Sequence, residues 1–203
     1  HGQKMSKSKG NVIEPMALIA THGAETLRWY FFTVNDPADP KRFDEEDLKK
    51  TMRRVFMILW NTYSFLETYR DEKHKPIAAL DQWIEARLRE TAKTVTNYLD
   101  RFAVGDAARS IETFIDDLSR WYIRRSRKNV SPKVLEQIFI SLSKLMAPFS
   151  PFFAEALYQS LKTQNFKLKT QSVHLEDWIF EKPSASDQRI LSDMAEVRRI
   201  ASL

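Results

Sequence analysis

Glycine is the residue this chain does without. Only Gly2, Gly10, Gly23 and Gly105 occur among its 203 residues. Hairpin turns and strand bulges draw on glycine, so a sheet-rich body is hard to build from this sequence. Apolar side chains meanwhile recur at three- and four-residue spacing, the period of a helix face. Together these features predict an all-α protein, an antiparallel helical bundle with short links between its long helices. Hydrophobic residues make up 43% of the chain and charged residues 29%, and a chain of this length can bury roughly 70% of its unfolded surface in a core of its own.

Local chemistry marks the helix ends. Pro15 starts a short helix through about Thr21, and Gly23 suits its stop. A second helix, over about 24–33, is apolar on several faces and is expected to lie between neighbours. The turn-rich stretch 35–40 comes after it and marks a boundary. Asp44 caps a long helix with Glu45, Glu46 and Asp47 in its first turn, where the helix dipole favours negative charge. Its apolar stripe is Leu48, Met52, Val55, Phe56, Leu59, Tyr63 and Leu66, and residues 71–76 break it. Helices over about 80–100 and 104–128 come next. Ser131 and Pro132 read as N-cap and first residue of a further helix, and Pro148 and Pro151 divide it from the next. Residues 165–171 lack helical spacing, 172–178 look extended, and a polar helix covers about 186–200. Trp29, Trp60 and Trp83 are expected in the core, and Val173, Leu175 and Trp178 are expected to pack on the bundle.

Several classes of function fall away. Cysteine is absent, and the four histidines include no i, i+4 pair, so no metal site is expected. No apolar run reaches the ~18–20 residues of a membrane span. The positive charge is concentrated in two places. Near the start, Lys4, Lys7 and Lys9 alternate with Ser6 and Ser8 and end at Gly10. This is a loop of cations, hydroxyls and accessible backbone N–H groups, suited to a polyphosphate. Farther on, Arg120, Arg124, Arg125, Arg127 and Lys128 fall in nine residues with no acidic one between them, interleaved with Trp121 and Tyr122. On a regular helix Arg120, Arg124 and Arg127 share a face while Arg125 points elsewhere. Such a patch suits nucleic acid, with arginine gripping phosphate or stacking on a base. Trp121 and Tyr122 also fit a plain core role, and Asp116 and Asp117 are placed to pair with neighbouring arginines.

The run Lys4-Met5-Ser6-Lys7-Ser8, extended by Gly10 and Asn11, resembles the KMSKS signature of class I aminoacyl-tRNA synthetases. The rest of the chain is similar, in the order and spacing of its blocks, to the isoleucyl-tRNA synthetase family. The blocks are Gly23-Ala24-Glu25-Thr26-Leu27-Arg28, Leu80-Asp81-Gln82-Trp83-Ile84, the stretch Ile115 to Arg127, Leu145-Met146-Ala147-Pro148-Phe149, and Ser172-Val173-His174-Leu175-Glu176-Asp177-Trp178. Glu25 is a mild departure, because the family carries aspartate there. Valyl- and leucyl-tRNA synthetases share the loop, the Met-Ala-Pro-Phe-like turn and the bundle. The Trp-Tyr-Ile-Arg-Arg-Ser-Arg and Val-His-Leu-x-Asp-Trp blocks favour isoleucine. The partner HIGH motif does not occur, and the chain reads as a piece of a longer enzyme.

The resemblance implies a ligase that activates isoleucine with ATP and Mg2+ and transfers it to tRNA(Ile). It implies that Lys4 and Lys7 are catalytic, that Lys4, Ser6, Lys7 and Ser8 bind ATP, and that Met5 anchors the loop on apolar surface while Lys9 is solvated. Arg120, Trp121, Arg124, Arg125, Arg127 and Lys128 are its implied tRNA contacts. ATP and isoleucine are reached through a catalytic domain outside this chain, which alone is expected neither to aminoacylate nor to hold a cofactor tightly. Neither DNA nor membrane is an expected partner, and the cytoplasm is the expected compartment. The implied divisions are 1–40 for the loop and connecting helices, 41–163 for the anticodon-binding bundle, and 164–203 for an extended tail with a last helix. The alternative of another class is a non-catalytic, structural or partner-binding bundle.

Overall fold

Several helices begin where a side chain satisfies a free backbone N–H group. A computed structural model describes residues 4–36, 38–40, 43–69, 77–127, 129–162, 168 and 170–201. The predicted break at 71–76 and most of the polar stretch 165–171 lie outside them. Among the described residues all regular structure is helical, as the glycine scarcity and the three-to-four periodicity predict. Helix α1 (Pro15–His22) has Pro15 at its first position, and α2 covers Ala24–Thr33. Asp44 caps α3 (Glu45–Thr51) by accepting from the Glu46 N–H at 2.9 Å. The chain continues through a π-helical stretch, Met52–Met57, into α4 (Ile58–Tyr69).

Two long helices form the centre of the bundle. Helix α5 (Ala78–Leu99) returns through a tight turn into α6 (Val104–Asp116). The latter runs on through a second π-helical stretch (Asp117–Ile123) into α7 (Arg124–Ser126). The turn has no glycine, and Phe102 takes the left-handed conformation instead, with φ 58°. Ser131 and Pro132 open α8 (Pro132–Met146) as the sequence predicts, with the Ser131 hydroxyl accepting from the Val134 N–H. Helix α9 (Pro151–Lys162) restarts at the second proline, and α10 (Ala185–Ala201) packs back along α5.

The main core gathers Trp29, Trp83, Phe114, Tyr122, Phe139, Phe149, Tyr158 and the aliphatic stripes of α4 to α9. Leu27, Tyr30 and Leu48 form a smaller core under α1 to α3, with Leu18, Ile19, Val34 and Phe43 packed on it. Helix α2 belongs to both cores, which explains its apolar faces. Gly105 lets α6 approach it: a Cβ there would sit 2.7 Å from the Phe32 carbonyl oxygen, inside van der Waals contact.

Three expectations need correction. Trp60 is 42% exposed rather than core, because its ring lies at the edge of the aromatic cluster against Tyr63 and Phe153. Leu175 is 68% exposed. The stretch 172–178 is not wholly extended, since Val173–Leu175 form one 3-10 turn capped by Ser172. That turn swings Val173 into the core and Leu175 outward, where strand-like alternation places both on one side.

Candidate functional site

The lysine loop is folded, although nothing apolar holds it. Lys7–Lys9 form a single 3-10 turn with no buried residue, and Gly10, at φ 64°, reverses the chain after it. Lys4, Lys7, Ser8 and Lys9 are exposed. Met5 is exposed as well, so it does not anchor the loop on apolar surface. The Ser6 and Ser8 hydroxyls lie 3.0 Å apart. One donates to the other, which leaves one hydroxyl proton of the pair free for a ligand. Asn11, which stands in the sequence motif without an expected role, reaches back into the loop. Its side-chain oxygen accepts from the Ser6 N–H at 2.8 Å, and its amide nitrogen donates to the Lys4 carbonyl at 3.3 Å.

The arginine block lies at the C-terminal end of the rod that α6 begins. The start of that rod touches α2, where Arg109 donates to the Thr33 carbonyl. The 15 to 18 residues from Arg109 to Arg124–Arg127 span roughly 25 Å.

Within the block the side chains divide sharply. Tyr122 is fully buried, and its hydroxyl donates to Asp81 at 2.6 Å. Its role is structural. Arg120 turns back onto Asp116 at 2.7 Å. Asp117 is buried and ignores its sequence neighbours: Arg87 donates to one oxygen at 3.0 Å and Arg198 to the other at 2.6 Å. Arg124, Arg125 and Arg127 are exposed, and no carboxylate of a described residue pairs with them. Lys128 lies outside the described residues. Trp121 is half-buried, and the Arg125 guanidinium lies over its ring, 3.1 Å from the centroid. Arg198 approaches the same ring at 5.1 Å. Desolvation against the ring, together with the like charges of Arg124 and Arg198, lowers the Arg125 pKa, although a guanidinium stays protonated. Arg124, Arg125 and Arg127, exposed cations with no carboxylate partner among the described residues, attract an anion.

The face assignment from regular helical spacing leaves out two contacts, both at i, i+4 spacing: Arg120 pairs with Asp116, and Arg125 stands on the Trp121 ring. No local pattern points to Arg87 or Arg198, because their meeting with Asp117 is long-range. Among the described residues no three His, Asp or Glu side chains gather to hold a metal ion.

An all-helical body with an exposed arginine face, entered from a lysine loop, defines a class. The chain belongs to the family described as the anticodon-binding domain of tRNA ligase, which matches residues 81–203. Residues 1–44 match tRNA synthetases of class I, the I, L, M and V group. Similar curated proteins include isoleucine–tRNA ligases. That of Deinococcus radiodurans is 37% identical over 100% of this chain and 20% of its own length. That of Clostridium acetobutylicum is 38% identical over 99% and 21%, and that of Thermus thermophilus 34% over 100% and 21%. The chain thus spans about a fifth of the length of the curated relatives it matches. A solved ternary complex of the Agrobacterium radiobacter K84 agnB2 LeuRS with tRNA and LeuAMS shares the fold, with a TM-score of 0.66 at 23% identity over 94% of this chain and 23% of that one.

Proposed function

We propose that this chain is the tRNA-binding portion of an isoleucine–tRNA ligase, together with the lysine loop of its catalytic site. The observation that carries the reading is the face of Arg124, Arg125 and Arg127 beside Trp121 on a bundle of the anticodon-binding family. Among the described residues that face has no carboxylate partner. The anticodon stem offers phosphates to the arginines, and its loop offers unpaired bases, the readable part of RNA. Arg120 and Lys128 border this face in sequence. The similarity of the whole chain to isoleucine–tRNA ligases supports isoleucine and tRNA(Ile) as substrates. The division into 1–40, 41–163 and 164–203 is part of the same reading, as is work in the cytoplasm. Among the described residues no helix is long and apolar enough to cross a membrane.

In the longer enzyme a carboxylate oxygen of isoleucine attacks the α-phosphorus of ATP. The new P–O bond forms as the bond to the bridging oxygen breaks, and pyrophosphate leaves with the electron pair. Mg2+ bound by the ATP phosphates would share their charge. Lys4 and Lys7 meet the negative charge that grows on the bridging and pyrophosphate oxygens. Cations placed for that charge bind the transition state better than the ground state. Ser6 and Ser8 have one spare hydroxyl proton for a phosphate oxygen.

The test is a titration of this chain with tRNA(Ile) and an unrelated RNA at several salt concentrations, beside charging of tRNA by the full-length enzyme with isoleucine, valine and leucine. The reading expects tRNA binding that weakens with salt. Replacing Arg124, Arg125 and Arg127 by alanine is expected to weaken binding and reduce the log–log salt slope by roughly 2. An unchanged slope and affinity in the triple variant would refer the bundle to a structural role.

A further inference from the structure

Three ammonium groups within six residues repel one another, and the lysine loop has no buried residue to offset that. Its shape comes from hydrogen bonds. Lys9 N–H donates to the Ser6 carbonyl at 3.1 Å and Gly10 N–H to the Lys7 carbonyl at 3.2 Å. These fix the single turn but not its attachment to the chain on either side. Gly10 then sends the chain back, and Asn11 arrives beneath the loop. Its one planar amide accepts from Ser6 and donates to Lys4, on either side of Met5. Residues 4–11 are thereby closed into a ring from which Lys4 and Lys7 project.

We propose that Asn11 is a positioning residue for adenylate formation: its amide fastens the loop so that Lys4 and Lys7 are held ready for the phosphates. This rests on the reading of the loop as an ATP clamp. The chemistry demands asparagine. An acceptor and a donor are needed on one short group, which aspartate does not offer, and aspartate adds an anion beside the lysines. Alanine removes both bonds. An unfastened loop still carries its cations, so ATP is still attracted. What is lost is the fixed placement of charge where the transition state develops it, and that loss falls on kcat rather than on KM.

The experiment uses the full-length ligase with Asn11→Ala, Asn11→Asp and, for reference, Lys7→Ala. Isoleucine-dependent ATP–pyrophosphate exchange is measured, and so is transfer from preformed isoleucyl adenylate to tRNA. Both Asn11 variants are expected to lose roughly tenfold in exchange kcat, with KM for ATP changed less than about twofold and transfer unchanged. If Lys7→Ala slows exchange and Asn11→Ala does not, the positioning role is wrong and the clamp reading stands. Full exchange activity in Asn11→Asp would show that the donor bond is unnecessary, which also overturns the proposal. A parallel fall in exchange and transfer would mark a general folding defect and overturn it as well. Normal exchange in Lys7→Ala would remove the clamp reading itself.

Discussion

The Glu25 carboxylate accepts a hydrogen bond from the backbone N–H of Phe152 at 2.8 Å, across 127 positions of sequence. A side chain of α2 thereby caps the first turn of α9 from outside that helix. Arg28, one turn later on α2, donates to the Phe149 carbonyl at 3.1 Å. The Gly-Ala-Glu-x-Leu-Arg element and the Met-Ala-Pro-Phe turn, far apart in the chain, are two halves of one joint between α2 and the start of α9.

Glu25→Ala is expected to destabilise the protein by about 1 kcal/mol, the usual cost of losing a helix cap. Urea unfolding gives the value directly. Glu25→Asp is expected to lose nearly as much, because the shorter side chain falls short of the N–H. An aspartate variant as stable as the parent would refute the cap.

Asp117 joins three segments of the bundle, since Arg87 comes from α5 and Arg198 from α10. Its removal leaves both arginines without their shared carboxylate. Asp117→Ala is expected to cost about 3 kcal/mol. Arg198→Ala, whose partner keeps Arg87, is expected to cost less and to loosen α10 in hydrogen exchange. Equal protection of α10 in the parent and in Arg198→Ala would argue against the link.

The buried Asp81–Tyr122 pair makes stability depend on pH. Burial raises the Asp81 pKa, opposed by the hydrogen bond from Tyr122. A carboxyl whose folded pKa lies above its unfolded one binds more protons when folded. Its contribution therefore declines as pH rises from the unfolded value, near 4, through the folded value, and then levels off. Asp81→Asn is expected to flatten that decline in urea melts followed upward from about pH 4. Tyr122→Phe leaves the carboxylate without its donor and is expected to cost about 2 kcal/mol at neutral pH. The decline should also extend to higher pH in that variant.

Phe102 sits in the left-handed region on an exposed turn. The turn needs that conformation, because Phe102 N–H donates to Leu99 and Ala103 N–H to Tyr98. Phe102→Gly is expected to stabilise the protein by about 1 kcal/mol, since it removes a Cβ clash and forfeits little burial. A loss of stability in thermal melts would contradict this.

The sequence alone determined what is settled within a turn or two of chain. Asp44, Pro15 and the Ser131–Pro132 pair start helices because their bonds and dihedrals involve residues at most three positions away. The apolar stripes named core residues because a helix repeats its face on a fixed period. The lysine loop and the arginine block were legible as concentrations of charge. Packing decided the rest. Trp60 and Leu175 lie outside the core because a side chain's depth depends on what covers it, and neither the bundle's edge nor the 3-10 turn at Val173 has a local signature. Asp117 found Arg198 across 81 residues, and Glu25 found Phe152 across 127. Such polar pairs form only after the hydrophobic faces have brought distant helices together, and no local pattern names their partners.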